Sequence, residues 1–413
     1  MNKTVKCNEK SGEVRIPSSK SWAHRLLIIA AFGEKKVNVV CDGISDDIRA
    51  TMNCLEALGA SFTVTNDKIE VWPIKTENND LKHLYCKESG STLRFVLPLV
   101  GAIGANVAFH REGRLKDRPL NDLIDVLSDH GMKIYEDEEI LFASGRLIPG
   151  DYSIRGDVSS QFISGLLMAL PLLSNNSRLT VTGEIQSQKY IDITENTLSM
   201  GGAQIDKNGN VYYIHSLKHY SAPDNAIAES DWSSAAFFLC LGALSKEGVS
   251  VKGMNLQSIQ GDREIVDVLK RFKADVNVAE GTIHVKRGNL KGIELDASEI
   301  PDLVPVVSAV ASFAKGTTKI FNAERLRLKE SDRIASTAAM IRSLGGEVTE
   351  TNDGLLIVGK EKLSGGRVDS FKDHRIAMSA AVMASGCESD VTVTDAECTD
   401  KSFKSFWDIL ESM

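Results

Sequence analysis

Six places in this sequence set hydroxyl, carboxylate or cationic side chains directly ahead of an apolar run. Ser18-Ser19-Lys20-Ser21 leads to Arg25, and Glu88-Ser89-Gly90-Ser91-Thr92 leads to Arg94. Ser159-Ser160-Gln161 opens a third run, Asp231 with Ser233-Ser234 a fourth, Asp302 a fifth and Asp373-His374-Arg375 a sixth. If the runs are helices, these groups sit where free backbone N–H groups and the positive dipole end favour phosphate and carboxylate ligands. Taken singly, each has a bland explanation. Ser and Asp are ordinary helix caps, a lone Arg or Lys is a solvated surface charge, and His374 is a structural hydrogen-bond partner. Recurrence at corresponding positions is not explained that way, because an acidic chain does not gather cations at matching helix starts by composition. Arg118, Arg333 and Lys401 are expected at the starts of further, amphipathic helices, where a cation opposes the dipole and a bound anion would account for it.

The elements that must hold these groups repeat. A helix ending in a small-residue turn and running into a polar hairpin begins at Cys54, Val126, Leu198, Leu269 and Ile341. Its turns fall near Gly59, Gly131, Gly202, Lys273 and Gly346, a period of about 70 residues. Asn66-Asp67, Asn208-Gly209, Glu280-Gly281 and Asp353-Gly354 supply hairpin chemistry between alternating strands. The apolar runs keep the same period and are apolar nearly all round, which predicts buried helices. The last amphipathic helix, from Phe403, stops where its hairpin should begin, while the first residues offer strands with no helix before them. The first residues are therefore expected to complete the last unit. Six units then divide three and three: residues 1–19 with 229–413 form one domain and residues 20–228 an inserted one, with the active site in the cleft between them. Periodicity alone also suits a solenoid scaffold without chemistry.

Composition narrows the function. The 413 residues, 42% hydrophobic and 25% charged, exceed one comfortable core and suit a soluble two-domain protein. No secretory leader and no membrane-length apolar run is visible. Seven cysteines form no CxxC or Cys/His metal spacing and read as reduced thiols in the cytoplasm. A net charge of −8 argues against nucleic acid or an anionic membrane as partner.

The motifs then become specific in order along essentially the whole chain. SSKSWAHR (Ser18–Arg25), SGSTLR (Ser89–Arg94), KDRP (Lys116–Pro119), GDVSSQF (Gly156–Phe162) and SQKYIDIT (Ser187–Thr194) resemble the successive signatures of the 5-enolpyruvylshikimate-3-phosphate synthases. So do ESDWSSAAFF (Glu229–Phe238), EIPDLVP (Glu299–Pro305), RLKESDR (Arg327–Arg333), DHRIAM (Asp373–Met378) and CTDKSF (Cys398–Phe403). The resemblance implies an α/β fold of two similar domains, each of three βαβαββ units around buried parallel helices, an inside-out α/β barrel. It implies shikimate 3-phosphate held by Lys20, Ser21, Arg25, Ser159, Ser160, Gln161, Ser187, Asp302 and Lys329. Phosphoenolpyruvate would be held by Lys20, Gly90, Arg118, Gln161, Arg333, Arg375 and Lys401. The implied substrates each carry a phosphate and a carboxylate, which suits a cluster of cations and helix ends.

The implied reaction is addition followed by elimination, with no metal or organic cofactor and with a monomer as the working form. Asp302 would take the proton from the 5-hydroxyl, and Glu330, or Lys20 acting with it, would protonate the methylene carbon. Lys329 and Arg333 beside Glu330 should lower its proton affinity, which makes its role as acid the less secure of the two. Glyphosate would compete with phosphoenolpyruvate at Gly90. Three positions depart from the family's commonest pattern: Glu88 stands where many members have Asn, Phe95 where Pro is frequent, and Arg325 where some have Asn. The sister enzymes that use UDP-N-acetylglucosamine typically have Lys-Asn where this chain has Lys20-Ser21, and a Cys about where it has Gly113. A nucleic-acid-processing protein on similar units would need a basic stripe with interleaved aromatics, which is absent.

Overall fold

The repeat is visible in the helices of this computed structural model, which describes residues 1–75 and 80–413. They run α1 (Lys20–Ala31), α2 (Asp46–Ala57), α3 (Gly90–Ile103), α4 (Asn121–Asp129), α5 (Ser160–Ala169) and α6 (Gln188–Met200). Then follow α7 (Trp232–Leu244), α8 (Ile265–Arg271), α9 (Val304–Ala311), α10 (Arg333–Ser343), α11 (His374–Met383) and α12 (Phe406–Glu411). The odd-numbered helices come from the apolar runs and are almost wholly buried. In α1, Leu26, Leu27, Ile28 and Ile29 have no exposed surface, and each such side chain contributes about 1.5–3 kcal/mol on burial. The even-numbered helices bury one face and show the other to solvent.

The chain divides into two units, Met1–Pro17 with Glu229–Met413, and Ser18–Ala228. The first crossing thus falls two residues before the expected boundary at 19. In the Ser18–Ala228 unit three four-stranded sheets each pair two parallel strands, one of which continues antiparallel into a hairpin. The other unit has two such sheets and a third in which Lys3–Val5 lies antiparallel to Val391–Val393, where the hairpin of the last repeat would stand. Gly12–Arg15, by contrast, opens the unit's first repeat, parallel to Val249–Lys252. The two crossings therefore exchange strands. Gly12–Arg15 precedes α1 yet pairs with the strand after α7, whereas Asn225–Ile227 precedes α7 yet pairs with Val37–Val40, the strand after α1.

The turns differ in detail from the sequence expectation. The hairpin loop after Asn208 is Gly209-Asn210, because Asn208 itself pairs with Val211. The loop before Leu355 has four residues, Thr351–Gly354, because pairing stops at Glu350. The left-handed residue after α10 is Gly345 (φ 84°), one before the expected Gly346. A further two-residue loop, Glu138-Glu139, has both residues left-handed (φ 45° and 71°) without a glycine.

One close approach fixes geometry that the site uses. A Cβ on Gly165 of α5 would stand 2.2 Å from the Arg94 carbonyl oxygen of α3. That carbonyl is the one that Pro98, lacking an N–H, cannot bond from four residues on. Glycine on one helix and proline on the other let the two backbones meet there. This sets Arg94 beside Gln161, one turn earlier on α5.

Candidate active site

In the Ser18–Ala228 unit the groups collect at the N-terminal ends of α1, α3 and α5. Ser89 caps α3 and Ser159 caps α5, each accepting a backbone N–H, whereas Ser19 ahead of α1 makes no side-chain cap. Lys20 opens α1 and its Nζ meets Asp47 Oδ2 of α2 at 2.7 Å. His24 Nδ1 contacts Thr51 Oγ1 at 2.7 Å, Thr51 contacts Thr92 at 2.7 Å, and Thr92 donates to Ser89 Oγ at 2.7 Å, so a chain of polar contacts links α1 through the middle of α2 to the start of α3. Burial pulls the His24 imidazole down to about 3, outweighing Asp47, so it is a neutral structural ring.

Arg25 is 2% exposed and its guanidinium bonds only neutral oxygens: Thr194 Oγ1 (2.7 Å), the Ser21 carbonyl (2.7 Å), the Tyr190 carbonyl (3.0 Å) and Ser164 Oγ (3.3 Å). Phe95, the residue that departs from the family pattern, lies under it with the ring centroid 4.8 Å from Cζ. No carboxylate among the described residues neutralises this buried cation, which leaves its charge for an anionic ligand. Gln161 is fixed at both ends, accepting from Arg94 Nη1 (2.7 Å) and donating to Ser91 Oγ (2.8 Å). Over Gly90 the guanidinium ends of Arg94 and Arg118 converge: a Cβ there would lie 2.8 Å from one and 2.9 Å from the other. Ser160 is buried at the first position of α5, and Ser187, buried in a left-handed conformation (φ 55°), precedes α6.

In the other unit a denser cluster forms around Arg333, the first residue of α10 and 1% exposed. Its Nε bonds Asp373 Oδ2, its Nη1 bonds Asp302 Oδ1 and its Nη2 bonds Glu330 Oε2, all at 2.8 Å. Asp373 also caps α11 by accepting from the Arg375 N–H, so one carboxylate joins the starts of α10 and α11. Arg375 reaches back to the Asp302 carboxylate (3.1 Å) and carbonyl (3.0 Å). Burial alone would push the Asp302 carboxyl up, but Arg375, Lys329 and Arg333 together hold it well below the usual carboxylate range. Burial pulls the Lys329 ammonium down, Asp302 opposes, and Arg333 and Arg325 add to the lowering, leaving it at about 8.

The expected site residues thus fall into two sets. Lys20, Ser21, Arg25, Gly90, Arg118, Ser159, Ser160, Gln161 and Ser187 lie in one unit; Asp302, Lys329, Glu330, Arg333, Arg375 and Lys401 lie in the other. Two positions need correcting. Arg118 ends a 3-10 turn, Gly113–Asp117, ahead of α4, and Lys401 ends the buried turn Ala396–Lys401 packed against α11, so neither opens a helix of its own. Both are held by turns that follow strands, where extended connections can aim a long side chain. Sequence reasoning left out Asp47, the partner of Lys20, and placed Arg94 and Asp373 at helix starts without assigning them to either substrate. Asp47 reads as one of two ordinary acids in a first helical turn, and only its burial beside Lys20 marks it.

A sequence model of the EPSP synthase (3-phosphoshikimate 1-carboxyvinyltransferase) family matches residues 6–410. The 3-phosphoshikimate 1-carboxyvinyltransferase of Clostridium kluyveri is 41% identical over 407 residues, covering 97% of this chain and 95% of that protein. The enzyme of the same name from Clostridium beijerinckii is 39% identical over 415 residues, covering 98% and 95%. A solved EPSP synthase from Acinetobacter baumannii superposes with a TM-score of 0.82 at 25% identity, covering 100% of this chain and 98% of that one. With helix starts, cations and carboxylates arranged as above, and a match that runs nearly from end to end, the chain belongs to the EPSP synthase family.

Proposed function

We propose that this protein transfers the enolpyruvyl group of phosphoenolpyruvate to the 5-hydroxyl of shikimate 3-phosphate, releasing phosphate. The observation that carries this reading is the family match over residues 6–410, which spans both sets of site residues. Arg25, buried without a carboxylate partner, suits the shikimate phosphate together with Ser159, Ser160, Gln161 and Ser187. Arg118 and Lys20 from one unit, with Arg333, Arg375 and Lys401 from the other, serve phosphoenolpyruvate. The two sets act on one pair of substrates, and no cofactor enters the reaction.

The ion pairs of Asp302 give the mechanism an order. Asp302 is a poor proton acceptor while Arg333 and Arg375 hold its two oxygens. The phosphate and carboxylate of phosphoenolpyruvate compete for those guanidinium groups, and the carboxylate they release becomes a base. Asp302 then takes the proton of the 5-hydroxyl as its oxygen bonds C2 of phosphoenolpyruvate. Glu330, or Lys20 acting with it, protonates the methylene carbon. As the C2–O bond to phosphate in the tetrahedral adduct breaks, the methyl carbon returns a proton to the group that delivered it, which restores the C=CH2 double bond, and the surrounding cations stabilise the departing phosphate. The protein works as a cytoplasmic monomer, which size-exclusion chromatography tests directly. The deciding assay measures phosphate release from phosphoenolpyruvate with either acceptor. Release dependent on shikimate 3-phosphate supports the reading; release dependent on UDP-N-acetylglucosamine, or none with either, overturns it.

A further inference from the structure

Close to Asp302 lies another carboxyl, Asp262, for which the reaction above has no use. It sits in the 3-10 turn Gly261–Glu264 ahead of α8, and 3% of its surface is exposed. Its Oδ2 accepts a hydrogen bond from Ser233 Oγ in the first turn of α7. Its Oδ1 is buried with no hydrogen-bond partner. The charged groups that face it are Asp302 from the turn before α9, Arg375 from α11 and Asp231 at the start of α7.

The cations of the cluster are matched without it. Arg333, Arg375 and Lys329 oppose Asp302, Glu330 and Asp373, and Asp231 is a further acid facing Asp262, so an ionised Asp262 adds a negative charge for which Arg375, already shared, is the cation that acts on it. A buried carboxylate with one unpaired oxygen and no cation of its own binds a proton instead. Burial and Asp302 push this carboxyl up, Arg375 and the Ser233 hydroxyl pull it back, and it comes to about 7.

We propose that Asp262 is a positioning residue that binds a proton from solvent when the phosphoenolpyruvate anion takes Arg375. Asp262 thereby sets the charge that this guanidinium presents to substrate. The inference rests on the assignment of phosphoenolpyruvate to Arg375 in the proposed function. Before an anion binds, Asp262 is ionised only above about pH 7, where it draws on the charge of Arg375 alongside Asp302. An arriving anion claims the same guanidinium, and Asp262 gives up its charge, because Asp302, Glu330 and Asp373 each keep an ion pair with Arg333. One proton passes from solvent to Asp262, and no other bond changes. Binding that requires a proton weakens as pH rises above about 7, by up to about tenfold per unit.

The test compares wild type with Asp262→Asn, which mimics the protonated carboxyl in shape and charge. The KM for phosphoenolpyruvate is measured from pH 6.5 to 9 at saturating shikimate 3-phosphate. Proton uptake on binding is measured by calorimetry in two buffers of different ionisation enthalpy. In wild type the KM is expected to rise by up to about tenfold per unit above pH 7 with uptake of a proton; in Asp262→Asn the profile is flat and uptake is lost. Parallel profiles, or equal uptake, overturn the proposal. Ser233→Ala gives an independent reading should Asp262→Asn not fold. Loss of the hydroxyl that favours the ionised carboxyl moves the wild-type break to higher pH, and an unmoved break overturns the proposal. Wild type that releases no phosphate with these substrates overturns the proposed function and this inference together; release with parallel profiles overturns this inference alone.

Discussion

Gly90→Ala tests whether the guanidinium groups above the start of α3 are set for a ligand. The added Cβ would lie 2.8 Å from Arg94 Nη1, 2.9 Å from Arg118 Nη1 and 3.2 Å from Arg118 Cζ. Both groups end flexible side chains, so they give way, each by about 0.5 Å to reach ordinary contact. Arg94 is tied to Gln161 and to the Pro119 carbonyl, so its share of the movement strains those bonds, while the share of Arg118 falls on the charge presented to phosphoenolpyruvate. A charge-assisted bond lengthened by that much loses about 0.7–1.4 kcal/mol, a rise of about 3- to 10-fold in the KM for phosphoenolpyruvate. The affinity for shikimate 3-phosphate should stay within about twofold, because Arg25 and Ser160 are untouched. Folding should not suffer, since alanine favours a helix over glycine by about 0.5–1 kcal/mol. Glyphosate, competing at the same place, should lose more than the substrate does. The assay is phosphate release with phosphoenolpyruvate varied at saturating shikimate 3-phosphate, repeated with glyphosate and paired with a thermal melt. An unchanged KM and unchanged inhibition would refute the reasoning. A lower Tm with equal losses for both substrates would show that the methyl group disturbs the helix and not the ligand.

Three further outcomes are expected. Asp302→Asn should lower kcat at least about 100-fold while phosphoenolpyruvate still binds, read by single-turnover kinetics and calorimetry; turnover within a few-fold of wild type would remove Asp302 as base. Lys329 is pulled down to about 8 by burial, so it is charged below that pH and must gain a proton to meet a phosphate above it. The Kd of shikimate 3-phosphate should therefore rise between pH 8 and 10 in wild type and stay level in Lys329→Arg. Arg333→Met should destabilise the fold by about 3–5 kcal/mol at pH 7 in urea titrations, because Asp302, Glu330 and Asp373 lose their shared cation. That loss should shrink near pH 4, where carboxyls freed of the arginine take up protons.

Much of the fold is legible because each level of the sequence repeats the same instruction. The apolar runs, their polar starts and the turn residues share one period, so the odd and even helices can be told apart by composition alone. The exchange of Gly12–Arg15 with Asn225–Ile227 is not legible. A short strand carries no mark of its partner, and its own neighbour along the chain is the natural guess. In the site, groups that occupy helix starts were readable because capping and anion binding both favour those positions. Asp262 and Asp47 were not, because an acid in a first turn has the same sequence signature whether it faces water or a buried cation. Arg118 and Lys401 were identified by type and misplaced by element, since a 3-10 turn lacks the period that marks a helix.

The strand exchange has a consequence for synthesis on the ribosome. Gly12–Arg15 leaves the exit tunnel more than two hundred residues before its partner Val249–Lys252, and Lys3–Val5 more than three hundred before its partner Val391–Val393. At about 5–20 residues per second, Lys3–Val5 waits roughly 20–80 s without a mate while the whole Ser18–Ala228 unit is free to fold behind it. The opening residues, with Lys3, Lys6, Glu9, Lys10 and Glu13 among them, are charged enough to stay solvated through that delay. A permutant of these 413 residues that begins at Ser18 and carries residues 1–17 after Met413 would make each unit contiguous and let both strands follow their partners. Its yield from cell-free translation, compared with the natural order, would measure what the delay costs.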